Sequence, residues 1–237
     1  MREPPFPIVR HPAAGARIPV LVSVTHYGTQ PLPHITRDDF EHHDGEVRSR
    51  RGVVRTHTMR EVPIFAHPLA PADLEERLRA LYDPYYTACE GLLDQLRSAY
   101  GYALLLDAHT GSPRRMKDHQ VIIGTRHGAT CAPGLAAMVA AIFTGHGFEV
   151  HDNVSGYTGG NIVATFGRPD TRRVHAIQLE INASLLMTTS REEFIALISQ
   201  GGVPEKAERN IARVRECLRE VLAALPPALA ALHEPAD

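Results

Sequence analysis

Short, uninterrupted apolar runs constrain the fold of this 237-residue chain more than any other feature. Residues 101–106 (Gly-Tyr-Ala-Leu-Leu-Leu) lack the polar alternation of a solvent-facing strand, which is typical of a strand covered on both faces. Further runs at 18–24, 119–124, 148–151 and 174–181 also predict strands. With 43% hydrophobic residues, the chain can bury these runs in a sizeable core.

Helical periodicity separates several of these runs. It predicts helices from Ala72 through Leu96, from Pro133 to about His146, and from Glu205 to about Leu225. Pro84 marks either a kink or a second start in the first helix. We expect Pro226-Pro227 to end the last helix, because proline lacks the N–H that a helix interior needs.

Strands that alternate with helices of this length favour an α/β fold. We therefore predict one α/β/α domain over residues 1–237, with a mixed, mainly parallel sheet covered on both faces. The stretch at about 30–71 is rich in Pro, Arg and His and has no sustained period. A connection of that length without an element is unusual, which indicates a functional or irregular segment.

Charge and cysteine content narrow the class of protein. The net charge of -2 gives no indication of binding to nucleic acid or to an anionic membrane surface. The three cysteines are widely spaced without a CxxC motif, which predicts free thiols in a reducing compartment. No run has the length of a signal core or a membrane span. We expect a cytoplasmic protein, and the sequence leaves its oligomeric state open.

Three predicted strands end in side chains that can bind a metal or move protons. His26 follows the first apolar run, His109 follows the run at 101–106, and Glu180 closes the run at 174–181. Ligands of open α/β sheets bind beyond the carboxyl ends of the strands, so we expect these three side chains to converge. Imidazoles suit zinc, and a neighbouring carboxylate can take a proton from an activated water.

Other residues near these strand ends are candidates for supporting roles. Asp107 precedes His109 by two positions, so it can share a strand face with His109 and orient the imidazole or bind the metal itself. Arg114, Arg115 and Arg168 are either surface arginines or bidentate partners for a substrate carboxylate.

The glycine-rich segment at 156–161, which ends at Asn161, also has two interpretations. It is either a hairpin or mobile loop, or a place where backbone N–H groups can approach an anionic substrate.

Several motifs occur in an order that resembles a known family. They are Val22-Ser-Val-Thr-His-Tyr-Gly-Thr29, Leu106-Asp-Ala-His-Thr110, Ile123-Gly-Thr-Arg-His-Gly-Ala-Thr-Cys131, Tyr157-Thr-Gly-Gly160, Phe166-Gly-Arg-Pro169 and Val174-His-Ala-Ile-Gln-Leu-Glu-Ile-Asn182. Together they resemble the N-formylglutamate amidohydrolases, whose fold is similar to that of zinc-dependent exopeptidases and aspartoacylases. The resemblance covers nearly all of residues 100–190 and the first strand.

The resemblance implies metal-dependent hydrolysis of an N-formyl or other N-acyl amino acid, such as N-formylglutamate. His26 and His109 correspond to ligands of one divalent ion, for which zinc is expected, and Glu180 corresponds to the general acid and base. Arginines of the chain would bind the carboxylates of this small-molecule substrate.

The chain departs from the family pattern after its first strand. Family members place a longer stretch there, including an acidic metal ligand, whereas here Pro31-Leu-Pro33 runs directly into a segment that keeps Arg37 of an Asp-Leu-Asn-Arg motif. The substitutes for the acidic ligand are, without a choice among them, Asp38, Asp39, Glu41 and Asp107.

The shortened stretch motivates a second hypothesis. The chain is then a catalytically impaired homologue that binds an acidic metabolite or a partner protein. A third hypothesis is a related exopeptidase-like hydrolase that acts on the ends of peptides.

Overall fold

The apolar runs of the sequence form a five-stranded sheet in the computed structural model of the chain. Its strands are β1 (Val20–Val24), β2 (Ala103–Gly111), β3 (Val121–Gly124), β4 (Val150–Asp152) and β5 (Val174–Asn182). The order across the sheet is β1-β2-β5-β3-β4, and β3 against β5 is the antiparallel pair. This arrangement confirms the prediction of an α/β fold with a mixed, mainly parallel sheet.

The structure describes residues 17–24, 70–190, 193, 197 and 204–233. The chain divides into two structural units, one of residues 1–17 and 25–92 and the other of residues 18–24 and 93–237. The helices are α1 (Pro71–Arg77), α2 (Asp83–Tyr100), α3 (Pro113–Met116), α4 (Pro133–Gly145), α5 (Asn161–Phe166), α6 (Pro169–Arg172) and α7 (Glu208–His233). Within the described residues, none of these helices has the length and apolar character needed to cross a membrane.

The described part of the first unit is helical. A π-helical turn at Leu78–Tyr82 follows α1, and α2 begins at Asp83. These segments follow one another without a break from Pro71 to Tyr100, and Pro84 comes just after the π-helical turn. Of the two possibilities that the sequence left open at Pro84, the structure shows no second start but an irregular turn within one helical stretch, since proline lacks the N–H of the regular helical hydrogen bond.

One face of the sheet is apolar and carries α4 and α7. Strand side chains such as Leu106 and Ile177 are fully buried in one cluster with Phe143 of α4 and Val221 of α7. Burial of each large apolar side chain stabilises the folded state by about 1.5–3 kcal/mol. Helices α4 and α7 cover this face. The polar side chains at the carboxyl ends of β2 and β5 lie on the opposite face.

The prediction that Pro226-Pro227 ends the last helix is wrong. Helix α7 continues through both prolines to His233. Leu225 and Leu229, on either side of the prolines, are fully buried. Both leucines belong to the same buried cluster as the apolar face of the sheet, which holds this part of the helix in place despite the missing N–H groups. Core packing therefore outweighs the local signal.

The three cysteines, Cys89, Cys131 and Cys217, are buried and form no disulfide. Burial raises the pKa of the Cys131 thiol to about 12. The Cys131 side chain is therefore a packed thiol rather than a reactive nucleophile.

A pair of histidines fastens the end of α7 to the sheet. His175 of β5 is 2% exposed, its Nδ1 accepts a hydrogen bond from the N–H of Ala132 (3.2 Å), and its Nε2 lies 2.7 Å from Nε2 of His233. Because Nδ1 of His175 accepts, the neutral ring carries its proton on Nε2 and donates it to His233. The pair needs both rings neutral, since a further proton on either ring would face another N–H.

Burial, and next the charge of His233, lower the pKa of His175 to about 4 from the ordinary value of 6.5, although Asp170 acts in the opposite direction. Burial and the charge of Arg173 also lower the pKa of His233. Between about pH 6.5 and pH 4 the unfolded chain binds more protons than the folded chain. We therefore predict that the free energy of unfolding falls as the pH drops through this window, by roughly 3 kcal/mol from His175.

The measurement is urea unfolding from pH 4 to pH 8 in the wild type and in His175→Asn, whose amide oxygen can still accept from Ala132. The variant should show a shallower pH dependence. His127→Asn is the matched control, because His127 is exposed and its φ of 58° suits asparagine. Equal pH dependence in the wild type and His175→Asn would contradict the prediction.

Candidate active site

Four polar side chains lie on one face of the two central strands. In the parallel register of β2 and β5, Asp107 pairs with Gln178 and His109 pairs with Glu180. Because side chains alternate between faces, these four residues share the face opposite the α4 and α7 core. Asp107, Gln178 and Glu180 are 1%, 7% and 5% exposed, so two carboxyl groups are buried side by side. Buried charges need partners, and the site supplies several of them.

Asp107 orients the imidazole of His109. Ser23 of β1 donates its hydroxyl proton to Oδ1 of Asp107 (2.9 Å), and Oδ2 of Asp107 lies 2.8 Å from Nε2 of His109. A carboxylate only accepts, so Nε2 carries the proton, and in the neutral ring the lone pair sits on Nδ1. This arrangement fixes the ring and the tautomer that can ligate a metal through Nδ1.

The charges around His109 favour its protonated form. Burial by itself lowers the pKa of the ring, but the hydrogen bond and charge of Asp107, followed by the charge of Glu180, raise the pKa above its ordinary value. The same negative charges would favour a metal cation at this ring.

Glu180 has one partnered and one unpartnered oxygen. Its Oε1 accepts a hydrogen bond from Nε2 of Gln178 (2.8 Å), whereas Oε2 is buried without a hydrogen-bond partner among the described residues. Burial raises the pKa of Glu180 to about 7, with His109 acting to lower it and Asp107 to raise it. A carboxyl group with such a pKa can both accept and release a proton near neutrality.

An apolar wall accounts for the burial of Glu180. Ile122 is its neighbour across β3 and clusters with Met116 and Tyr157. Gly111 also lies close to this carboxyl group. A Cβ at position 111 would collide with Sδ of Met116 and lie 3.3 Å from Oε2 of Glu180, so glycine leaves the room that both side chains need. The unpartnered oxygen therefore lies in a tight, weakly polar corner.

The side chains of Arg115 and Tyr157 border this corner. The guanidinium carbon of Arg115 lies 5.9 Å from the centre of the Tyr157 ring. Burial raises the pKa of Tyr157, the charge of Arg115 lowers it, and that of Glu180 raises it. Arg115 is exposed, so its charge is available at the edge of the site.

The structure brings together some of the residues predicted from the sequence. His109 and Glu180 are neighbours on adjacent strands. His26 and Arg37 lie outside the described residues, as does the side chain of Arg114, although its backbone belongs to α3.

Asn161 and Arg168 are exposed at the two ends of α5, and Arg168 donates to the carbonyl of Ala164 (3.1 Å). Within the described part of the chain, neither side chain hydrogen-bonds to Asp107, His109 or Glu180.

Two side chains of the site suit a divalent metal. His109 offers an oriented imidazole, and the unpartnered Oε2 of Glu180 is a buried oxygen beside it, so the residues present fit part of such a site. Among residues 17–24, 70–190 and 204–233 there is no cluster of three ligating side chains. The other candidate ligands predicted from the sequence, His26, Asp38, Asp39 and Glu41, lie outside the described residues.

Asp107 was one of the possible acidic ligands. Both of its oxygens are engaged, one by Ser23 and one by His109. These contacts fit the role of orienting the imidazole, and the role of metal ligand stays a prediction.

Sequence reasoning missed Ser23, Gln178 and Tyr157 as members of the site. A signal existed for Gln178, because it lies two positions before Glu180 in an apolar run and so shares its face. Ser23 likewise interrupts the apolar run of β1. Tyr157 lies in a motif that carries the family resemblance, but its place beside Glu180 depends on how a loop packs.

Comparison with known proteins identifies relatives of this chain. The family model described as N-formylglutamate amidohydrolase matches residues 27–187. An N-formylglutamate deformylase of Pseudomonas aeruginosa is 32% identical over 171 residues, which are 68% of this chain and 60% of that protein. One of Pseudomonas putida is 34% identical over 137 residues, 53% of this chain and 49% of that protein. The chain thus spans about half to three fifths of the length of these relatives.

Solved structures share the fold. The crystal structure of N-formylglutamate amidohydrolase from Ralstonia eutropha JMP134 has a TM-score of 0.57 at 24% identity, covering 71% of this chain and 58% of that one. A gene product of Agrobacterium tumefaciens has a TM-score of 0.54 at 16% identity, covering 89% and 91%. The matched segment contains Asp107, His109, Gln178 and Glu180, and the chain belongs to the N-formylglutamate amidohydrolase family.

Proposed function

We propose that the chain hydrolyses the amide bond of an N-formyl or other N-acyl amino acid, such as N-formylglutamate, with one divalent metal, for which zinc is expected. The observation that carries this proposal is the buried Oε2 of Glu180, which has no hydrogen-bond partner among the described residues and lies beside an imidazole that Asp107 orients. Such a pair suits hydrolysis, because one group can hold a metal while the other moves the proton of water. Membership of an amidohydrolase family supports the choice of an amide substrate.

The metal would be held by His109 through Nδ1, by His26, and by further groups outside the described residues. When bound, a divalent ion supplies Lewis acidity to the amide carbonyl and to water. Asp107 keeps the imidazole in the ligating tautomer, and Ser23 keeps Asp107 in place.

Glu180 performs the proton transfers. As a carboxylate it accepts a proton from the attacking water at Oε2, and the new C–O bond forms at the acyl carbon. It then gives this proton to the amide nitrogen as the C–N bond breaks, which releases formate and the free amino acid. The pKa of about 7 matches both steps.

Recognition of the substrate would rely on the positive edge of the site. Arg115 offers a planar guanidinium to a carboxylate of the amino acid, and its stacking near Tyr157 limits where the guanidinium can lie. Arg37, Arg114, Asn161 and Arg168 stay proposals for the remaining polar contacts.

The first prediction concerns the proton-transfer role of Glu180. Glu180→Gln keeps the size of the side chain but removes the basic oxygen, so kcat should fall by about 100- to 10,000-fold. Release of formate and of the amine should be measured together with N-formylglutamate as substrate.

Glu216→Gln is the matched control, since Glu216 is an exposed residue that pairs with Arg219 on α7. It should retain wild-type turnover. Turnover in Glu180→Gln within twofold of the wild type would reject the role of Glu180.

The second prediction concerns the metal. The wild type should bind zinc, lose turnover after chelation and recover it when zinc is returned. His109→Ala should weaken zinc binding by more than about 100-fold, beyond the loss typical of a residue that only orients a ligand. Isothermal titration calorimetry measures this affinity without reference to turnover.

His127→Asn serves as the control for the titration, because His127 is exposed and lies on a different strand end. Equal zinc affinity in the wild type and His109→Ala would contradict the ligand assignment. A zinc-loaded wild type that binds a dicarboxylate yet releases neither formate nor another acid would instead favour the hypothesis of a catalytically impaired binding protein.

A further inference from the structure

We infer that Gln178 is a positioning residue of the proposed reaction, which links the loop at 156–160 to Glu180 and reserves Oε2 of Glu180 for the proton. The inference rests on the proposed function. It adds a residue that acts through the general base rather than on the substrate.

The hydrogen bonds of Gln178 define its amide orientation. Its Oε1 accepts from the N–H of Gly160 (2.9 Å), and its Nε2 donates to Oε1 of Glu180 (2.8 Å). A backbone N–H can only donate and an ionised carboxylate can only accept, so the flipped amide would lose both bonds. With Gln178 buried at 7% exposure, such a loss would lack compensation by bulk water.

The amide makes the two oxygens of Glu180 inequivalent. Oε1 faces an N–H donor, so a proton that arrives on the carboxyl group goes to Oε2. Without the donor, the carboxyl group could turn about its last side-chain bond and present either oxygen. The hydrogen bond therefore fixes which atom meets the water and the leaving nitrogen.

The loop that holds the other end of the amide is pressed against the sheet. Gly124 is the register partner of Gln178, and a Cβ at Gly124 would lie 2.6 Å from the nitrogen of Gly159 and 2.8 Å from the carbonyl oxygen of Tyr157. The φ of +117° at Gly159 is open to glycine and strained for other residues. The same loop carries Tyr157, over which Arg115 lies.

Gln178 thus connects two parts of the site. One is the loop that carries Tyr157 beside Arg115, and the other is the carboxyl group of Glu180, which moves the proton. A shift of the loop at Gly160 would move the amide and, through it, the carboxyl group of Glu180. Small misplacement of a reacting group can cost about 100-fold in rate, so the effect should fall on kcat rather than on KM.

Two variants separate the two ends of the amide. Gln178→Glu keeps an acceptor for Gly160 and replaces the permanent amide donor with a second carboxyl group, whereas Gln178→Met loses both hydrogen bonds. We expect kcat to fall about 10- to 100-fold in both variants, with KM for Gln178→Glu within about threefold of the wild type. Zinc affinity of Gln178→Met should stay near the wild-type value, because the hydrogen bonds of the Gln178 amide go to Gly160 and Glu180 and the variant adds no charge.

Gln120→Met is the matched control. Its amide oxygen also accepts from a backbone N–H, that of Glu149 (2.9 Å), but it is not bonded to Glu180. This variant should keep wild-type kcat and KM. That result would show that loss of a glutamine amide outside the site does not lower turnover.

A double-variant cycle tests whether Gln178 acts through Glu180. If it does, adding Gln178→Met to Glu180→Gln should leave kcat unchanged, whereas an independent structural effect would multiply. Wild-type kcat in both Gln178 variants, or multiplied losses in the cycle, would overturn the inference while the proposed function stands. A zinc-loaded wild type that hydrolyses no N-acyl amino acid would overturn both.

Discussion

The parallel pairing of β2 with β5 is the constraint on which the candidate site depends. Adjacent strands lie about 4.8 Å apart, so the register that sets His109 opposite Glu180 brings an imidazole and a carboxyl group together with little freedom. A slip of β5 by one residue would turn Glu180 away from His109 and into the apolar core under α4 and α7. The register is held by the apolar face itself, where residues such as Leu106 and Ile177 are fully buried.

Burial gives this pair its chemical properties. Asp107 and Glu180 lie in weakly polar surroundings, where an uncompensated charge is costly, and the sheet provides one hydroxyl, one imidazole and one amide as partners. One oxygen of Glu180 is left without a partner among the described residues, so the site keeps a buried base whose pKa is raised to about 7. A similar logic operates at the other end of β5, where His175 and His233 stay together because both rings are neutral.

The sequence predicted the strands, the class of sheet and the positions of His109 and Glu180, because apolar runs and the residues that end them are local features. It also offered Asp107 as a residue that can orient His109, but it did not predict Ser23 as the partner of Asp107 or Gln178 as the partner of Glu180. Ser23 and Asp107 are far apart in the chain, and their contact depends on register between strands. At Pro226-Pro227 the local sequence predicted a helix end that does not occur. The helix continues because Leu225 and Leu229, on either side of the prolines, are buried. His26 and Arg37 lie outside the described residues and stay predictions.

The central claim is that His109 and Glu180 form one metal-assisted hydrolytic site. Anomalous diffraction at the zinc edge, from crystals grown with zinc, tests it most directly. The account predicts a peak about 2.0–2.1 Å from Nδ1 of His109, the usual zinc–imidazole distance, with Oε2 of Glu180 within hydrogen-bond reach of a water at the metal. A zinc ion bound elsewhere, with both ring nitrogens of His109 out of ligating distance, would contradict the account.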